Sequence, residues 1–136
     1  MEPEQSATSS PIRVVVVGPC ASGKSTLAAR LRDHGFDAYV CAQEHSEIPT
    51  LWRHLGPDVV IALDVDLATV RARRGAEWPE AIYVAQVRRL VEARAAADVV
   101  IDTASLDVDA TLEAALQVLP RPLPAPGTWE APTRLS

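Results

Sequence analysis

Residues 12–17, Ile-Arg-Val-Val-Val-Val, run directly into Gly-Pro-Cys-Ala-Ser-Gly-Lys-Ser-Thr, and nothing else in the chain restricts its fold as strongly. The first segment is rich in β-branched residues and lacks polar alternation, the pattern of a strand covered on both faces. The next six residues hold two glycines, which reach positive φ and let the backbone approach a neighbour without a Cβ in the way. Residues 24–34 then place Leu27, Ala28 and Leu31 on one helical face, and Gly35 suits the helix stop. A buried strand, a glycine turn and a helix in that order predict a parallel sheet rather than a sandwich or a bundle.

The rest of the chain repeats the alternation. Residues 36–42 read as a second strand. Ile48, Leu51, Trp52 and Leu55 fall at i, i+3, i+4 and i+7, a short helix closed by Gly56-Pro57. Residues 58–64 contain VVIAL, a third buried strand, and 66–74 form a short helix. A longer helix is predicted over 80–97, with Tyr83, Val87, Leu90 and Val91 on one face. Residues 98–102 make a fourth strand, and 107–119 a closing helix with Val108, Leu112, Ala115, Leu116 and Leu119 inward. The expected class is α/β, a three-layer α/β/α arrangement around a small parallel sheet of about four to five strands. Ligands of such sheets bind at the carboxyl ends of the strands.

The 136 residues suffice for one domain. It is expected over 12–120, between a loose polar arm (1–11) and an extended tail (121–136) with prolines at 122, 124, 126 and 132. The longest apolar runs are too short to cross a bilayer, and the first residues carry acids and no apolar stretch, so neither a membrane span nor a secretory signal is expected. Cys20 and Cys41 have no metal-ligand spacing, which points to free thiols in a cytoplasmic setting. The net charge of −5 argues against a nucleic-acid partner held by its phosphates.

Gly18, Pro19, Cys20, Ala21, Ser22, Gly23, Lys24 and Ser25 fit the pattern G-x-x-x-x-G-K-[ST], here after a strand and before a helix. Successive amides in such a turn form a nest for a phosphate, and the positive end of the helix adds to it. Lys24 places a charge between β- and γ-phosphates, Ser25 offers a hydroxyl to Mg²⁺, and Thr26 supports the α-phosphate. Lys24 is the only lysine among 13 basic residues. A compact ammonium fits inside such a turn, whereas a guanidinium fork does not.

On these residues the segment 12–26 resembles the first strand and phosphate loop of the P-loop NTPases. The stretches DVVIALDVDLATVRARR and RLVEARAAADVVIDT resemble the small-molecule and nucleotide kinases of that superfamily, those similar to adenylate and shikimate kinases. The resemblance covers residues 12–119 and is specific in the glycine turn. It implies a P-loop NTPase fold, ATP and Mg²⁺ as cofactors, and transfer of the γ-phosphoryl group to a small-molecule acceptor. It also implies arginines on a lid and an adenine-contacting loop after the last strand. The segment 35–57 is shorter than the acceptor-binding insertion of that family. This leaves a second reading, a nucleotide-binding regulatory module or weak NTPase acting through a protein partner. The N-K-x-D guanine motif is impossible in a chain without asparagine.

Phosphoryl transfer needs a carboxylate as well. Asp64 ends VVIALD, and Glu44 follows the second strand. If the first crossover returns the second strand beside the first, Glu44 holds the Mg²⁺ position with Ser25, with Asp64 as the alternative. His45, next to Glu44, is a candidate acid or base and equally a surface histidine. Arg71 and Arg74 share a helix face at i, i+3, with Arg73 pointing elsewhere, and by resemblance they offset charge on the moving phosphoryl group.

Overall fold

The structure is a computed structural model and describes residues 11–120; the predicted arm and tail lie outside them apart from Pro11. Four strands form one parallel sheet: β1 (Arg13–Val17), β2 (Asp37–Val40), β3 (Val59–Asp64) and β4 (Val99–Asp102), in the order β2-β1-β3-β4. Five helices accompany them among the described residues: α1 (Lys24–Asp33), α2 (Leu67–Arg74), α3 (Glu80–Arg89), α4 (Val91–Ala96) and α5 (Val108–Val118). The fold is α/β with a small parallel sheet, at the lower end of the expected strand number.

Side-chain alternation along the strands makes two cores. Val14 and Val16 join Ile61, Leu63 and Ile101 on one face, covered by Leu27, Ala28 and Leu31 of α1 and by Leu112 and Ala115 of α5. Val15 and Val17 face the other way with Val60 and Ala62, under Trp52, Leu90 and Ala93. Since β1 buries both faces past its first residue, Val14 to Val17 had to be apolar without a break. The register pairs Val16 with Val40 on one side and with Ile61 on the other; β2 ends level with Val16, β1 one residue on, and β3 runs two residues past β1 to Asp64.

The ends of α1 and α2 follow local rules. Helix α1 closes on Gly35 at φ 95°, with Phe36 N–H donating to Leu31 O at 3.1 Å and Gly35 N–H to Arg32 O at 3.1 Å. This left-handed closure requires glycine and swings the chain straight into β2. Helix α2 is capped by Asp66, whose Oδ1 accepts the Thr69 amide at 2.8 Å. Hydrogen bonding from Thr69 holds the Asp66 carboxyl below the usual carboxylate range. A lowered folded value means that the stabilisation is present above the unfolded value near about pH 4 and is lost as pH falls through the folded one. Asp66→Asn keeps a capping oxygen without a titrating group. Its stability, followed by urea unfolding from pH 6 down to pH 2, is expected to fall less steeply than that of the parent; superimposable acid limbs would contradict the assignment.

Three predicted elements change. The helix expected over 80–97 divides at Leu90 into α3 and α4. Its buried residues are Gln86, Leu90 and Ala93, while Val87 and Val91 are 41% and 58% exposed. The inward stripe is rotated because Gln86 is drawn to the Gly18–Gly23 turn by two hydrogen bonds to Cys20. The helix expected from Ile48 is only a 3-10 turn over Leu51–Leu55, and Ile48 is exposed. Pro49 disfavours helical geometry in the residue before it and has no amide to donate. Val108, expected inward, is exposed in the first turn of α5. Among the described residues, no helix is long and apolar enough to cross a membrane.

Candidate functional site

The turn after β1 is held from three directions. Its peptide runs through Ala21 at φ 67° and Gly23 at φ 97°, both left-handed. A non-glycine residue costs about 1–2 kcal/mol in that region, so Ala21 stays there because its neighbours fix it. Arg73 Nη1 donates to Ala21 O at 2.6 Å, and the buried Thr103 hydroxyl donates to Ser22 O at 3.0 Å. On the other flank, Gln86 Oε1 accepts the Cys20 amide at 3.0 Å and Nε2 donates to Cys20 Sγ at 3.2 Å. Gly23 is the N-cap of α1, no side chain caps that end, and its first turn carries no acid. The first-turn amides have no intrahelical carbonyl to bond, which leaves them for an external acceptor.

Lys24 leaves the first turn of α1 and folds back over the loop. Its Nζ donates to Gly18 O at 2.9 Å and Pro19 O at 3.0 Å, and meets Glu44 Oε2 at 3.0 Å. Three donors thus have three acceptors. The pair is nearly dry, with the Lys24 and Glu44 side chains 10% and 5% exposed. Glu44 sits in the short 3-10 turn Gln43–His45, just past the end of β2. That turn is pinned by fully buried Gln43, whose Nε2 donates to Ile48 O and whose Oε1 accepts the Trp52 amide at 3.1 Å. Arg89 Nη1 also donates to Glu44 O at 3.2 Å. Glu44 Oε1 and Ser22 Oγ are buried with no hydrogen-bond partner.

The two carboxylates therefore differ in setting. Strand β1 lies between β2 and β3, so adjacency alone does not choose between Glu44 and Asp64. Glu44 faces Lys24 and the loop. Asp64 is bound bidentately by Arg94, at 3.0 Å to Oδ1 and 2.7 Å to Oδ2. This pairing raises the Arg94 pKa further, through its hydrogen bond to Asp64 first.

Arg71 and Arg74 turn to one side, toward Trp78, and Arg73 to another, as the helical-face rule expects; what differs is which of them meets the glycine turn. Arg71 Nε donates to Trp78 O at 2.9 Å and braces the turn after α2. Arg74 lies over the Trp78 ring at 5.7 Å. Arg73, expected to point elsewhere, is the one that contacts the glycine turn and also donates to Thr103 O at 2.8 Å. All three arginines lie within helix α2, which ends at Arg74 with Gly75 as its C-cap.

Two hollows flank the turn. One of about 570 Å³ opens over the ends of β1 and β3, with Pro19, Asp64, Tyr83, Val87 and Arg94 in its wall. It explains why Val87 and Val91 stay out of the core. Tyr83 donates to Val65 O at 2.8 Å, and burial first, then Asp66 and Asp64, push its hydroxyl pKa up. The other hollow, about 300 Å³, lies between Gly23, Thr26, Arg74, Thr103 and Leu106. Of the predicted residues, Gly18 to Gly23, Lys24 and Glu44 come together; Ser25 and Thr26 follow in the first, exposed turn of α1. Gln86 and Thr103 are the two that sequence reasoning misses. The legible signal was Gln86, a polar residue interrupting the apolar stripe between Tyr83 and Leu90.

No protein-family model matches this sequence, and no curated protein matches it closely enough to count as a relative.

Proposed function

We propose that the chain binds ATP at the turn after β1 and transfers its γ-phosphoryl group to a small-molecule acceptor, as a kinase similar to those of the P-loop NTPase superfamily. The observation that carries this reading is the dry Lys24–Glu44 contact of 3.0 Å, set at the mouth of the G-x-x-x-x-G-K-S turn beside an uncapped helix start. A triphosphate takes the place of the Gly18 and Pro19 carbonyls as acceptor for Lys24, while the loop amides bond its oxygens. Arg73 is better placed than Arg71 or Arg74 to tie the loop to the strand end opposite, and Arg74 faces the smaller hollow, which fits a base. The larger hollow beside Pro19 fits an acceptor with an apolar body.

The residues present fit a magnesium ion, a hard cation that takes oxygen ligands. Glu44 keeps one buried carboxylate oxygen without a partner, and the Ser25 hydroxyl is exposed at the start of α1. These two would hold the ion, which when bound neutralises charge on the phosphates. A reducing, cytoplasmic setting suits the free thiols.

A second reading is favoured by one observation. Between β2 and β3 the chain has room for only two 3-10 turns, so an acceptor-binding insertion is missing there. The protein is then a nucleotide-binding regulatory module or weak NTPase. One experiment divides the two. The purified protein is mixed with Mg²⁺-ATP and a panel of small hydroxy acids, sugars and nucleosides, and ADP is followed. Acceptor-stimulated ADP that disappears in Lys24→Arg is the kinase result, because the arginine keeps the charge but not the fit. ATP-dependent thermal stabilisation without stimulated turnover is the regulatory result. Absence of stabilisation by ATP, GTP and ADP alike would contradict both.

A further inference from the structure

Three side chains of different chemistry, Cys20, Glu44 and His45, converge at the Glu44 oxygen that also meets Lys24. Cys20 Sγ lies 3.8 Å from His45 Nε2, and that nitrogen lies 3.5 Å from Glu44 Oε2. One ligand atom from each of the three sits within 4.8 Å of the others. In a tetrahedral zinc site, with metal–sulfur near 2.3 Å and metal–nitrogen or –oxygen near 2.0 Å, neighbouring ligand atoms are about 3.3–3.6 Å apart. The cluster is within a small contraction of that geometry. We propose that Cys20, Glu44 and His45 form a binding site for a zinc-class divalent ion, and that filling it closes the nucleotide site.

The donor set excludes magnesium as the occupant. A thiolate and an imidazole select a borderline-soft ion, whereas magnesium takes oxygen and keeps its waters. Three protein ligands leave a fourth position, and it opens toward solvent on the side of His45, which is 58% exposed. The surroundings already orient the ligands. Gln86 Nε2 donates to Cys20 Sγ, as a partner to a ligating thiolate does. Gln43 fixes the turn that carries Glu44 and His45, and Glu44 Oε1 is buried without a partner.

Charge makes the ion a competitor of Lys24. On binding, Cys20 releases its thiol proton to solvent, so the thiolate and the Glu44 carboxylate together neutralise a dication. Lys24, 3.0 Å from Glu44 Oε2, then faces a carboxylate whose charge is already met. The ion also tethers Cys20, within the glycine turn, to the turn after β2. That tether, and the loss of Glu44 as a ligand for magnesium, oppose a bound Mg²⁺-triphosphate; the release of Lys24 by itself does not. The closing step rests on the nucleotide reading given above; the metal site does not.

The test uses the full-length, reduced and chelator-treated chain, with Co²⁺ as the probe. Titration is expected to give a thiolate-to-cobalt charge-transfer band and the visible bands of tetrahedral cobalt, displaced by Zn²⁺. Cys20→Ser abolishes the charge-transfer band, His45→Ala weakens binding, and Cys41→Ser leaves the band intact. A folded chain without the band, or a band that survives in Cys20→Ser, overturns the site. The thermal shift by Mg²⁺-ATP is then measured with and without saturating Zn²⁺. Apparent ATP affinity is expected to fall on the order of tenfold with zinc, and to be unaffected by it in Cys20→Ser. Equal ATP affinity with and without zinc in the parent overturns the closing step. A zinc-free chain that ATP does not stabilise refutes the nucleotide reading, while the cobalt band still decides the metal site.

Discussion

Lys24→Met is expected to lower the free energy of unfolding by about 3–5 kcal/mol, the loss typical when one member of a buried ion pair is removed. The reason lies in what stays behind. Glu44 is 3% exposed, and one of its oxygens has no hydrogen-bond partner even in the intact protein. Without the ammonium, the carboxylate keeps only the His45 ring at 3.5 Å, and the Gly18 and Pro19 carbonyls lose a donor each. Methionine fills the same volume with no charge to offset. The double variant Lys24→Met/Glu44→Gln removes the stranded charge and is expected to regain much of the loss. Denaturant unfolding of the parent, both single variants and the double variant gives the coupling directly. Residues that share a pair couple by about 0.5–3 kcal/mol. Effects that simply add would mean that the pair does not bear on stability.

The second large effect is steric. A Cβ on Gly18 would come 2.6 Å from Ser22 Oγ, 2.9 Å from Leu63 O and 3.1 Å from Leu63 Cβ. Two of these atoms belong to the adjacent strand residue, and one of them is backbone in the sheet, so the loop must move instead. Overpacking of this kind costs about 1–3 kcal/mol, and Gly18→Ala is expected at the upper end. Gly23→Ala is the comparison. It has open space around its Cβ position but a φ of 97°, so it meets only the backbone cost of about 1–2 kcal/mol. Gly18→Ala should therefore lower the unfolding midpoint in urea more than Gly23→Ala, with a similar slope. The reverse order would show that close approach of β1 and β3 does not set the glycine requirement at 18.

Much of this architecture could be read from the chain because local rules and burial agree. The unbroken apolar β1 had to lie between two neighbours, and it does. The Gly35 stop and the alternation of strands and helices needed no tertiary information. The reading weakened where a polar residue turned inward. Gln86 is polar but buried, and its two bonds to Cys20 accompany a rotation of α3 that leaves Val87 and Val91 outside. The apolar spacing from Ile48 to Leu55 points to a helix, but Pro49 lies inside it and only a 3-10 turn forms over Leu51–Leu55. At the site, the sequence brought Lys24 and Glu44 into one region through strand order. It separated Arg73 from Arg71 and Arg74 by helical face but did not show which face meets the loop, because that depends on how α2 packs in three dimensions. Thr103 acts through a backbone group far away in sequence, and single-residue patterns carry no trace of such a bond.

The most direct measurement is the change in backbone amide resonances of the isotope-labelled protein on adding Mg²⁺-ATP. If the turn after β1 cradles the polyphosphate, the largest shifts fall on the amides of Gly18 and of residues 20–26. They are expected to be far smaller with adenosine, which lacks phosphate. Saturating ATP that leaves those amides unmoved, or moves only residues elsewhere in the sheet, would contradict the proposed role of the turn.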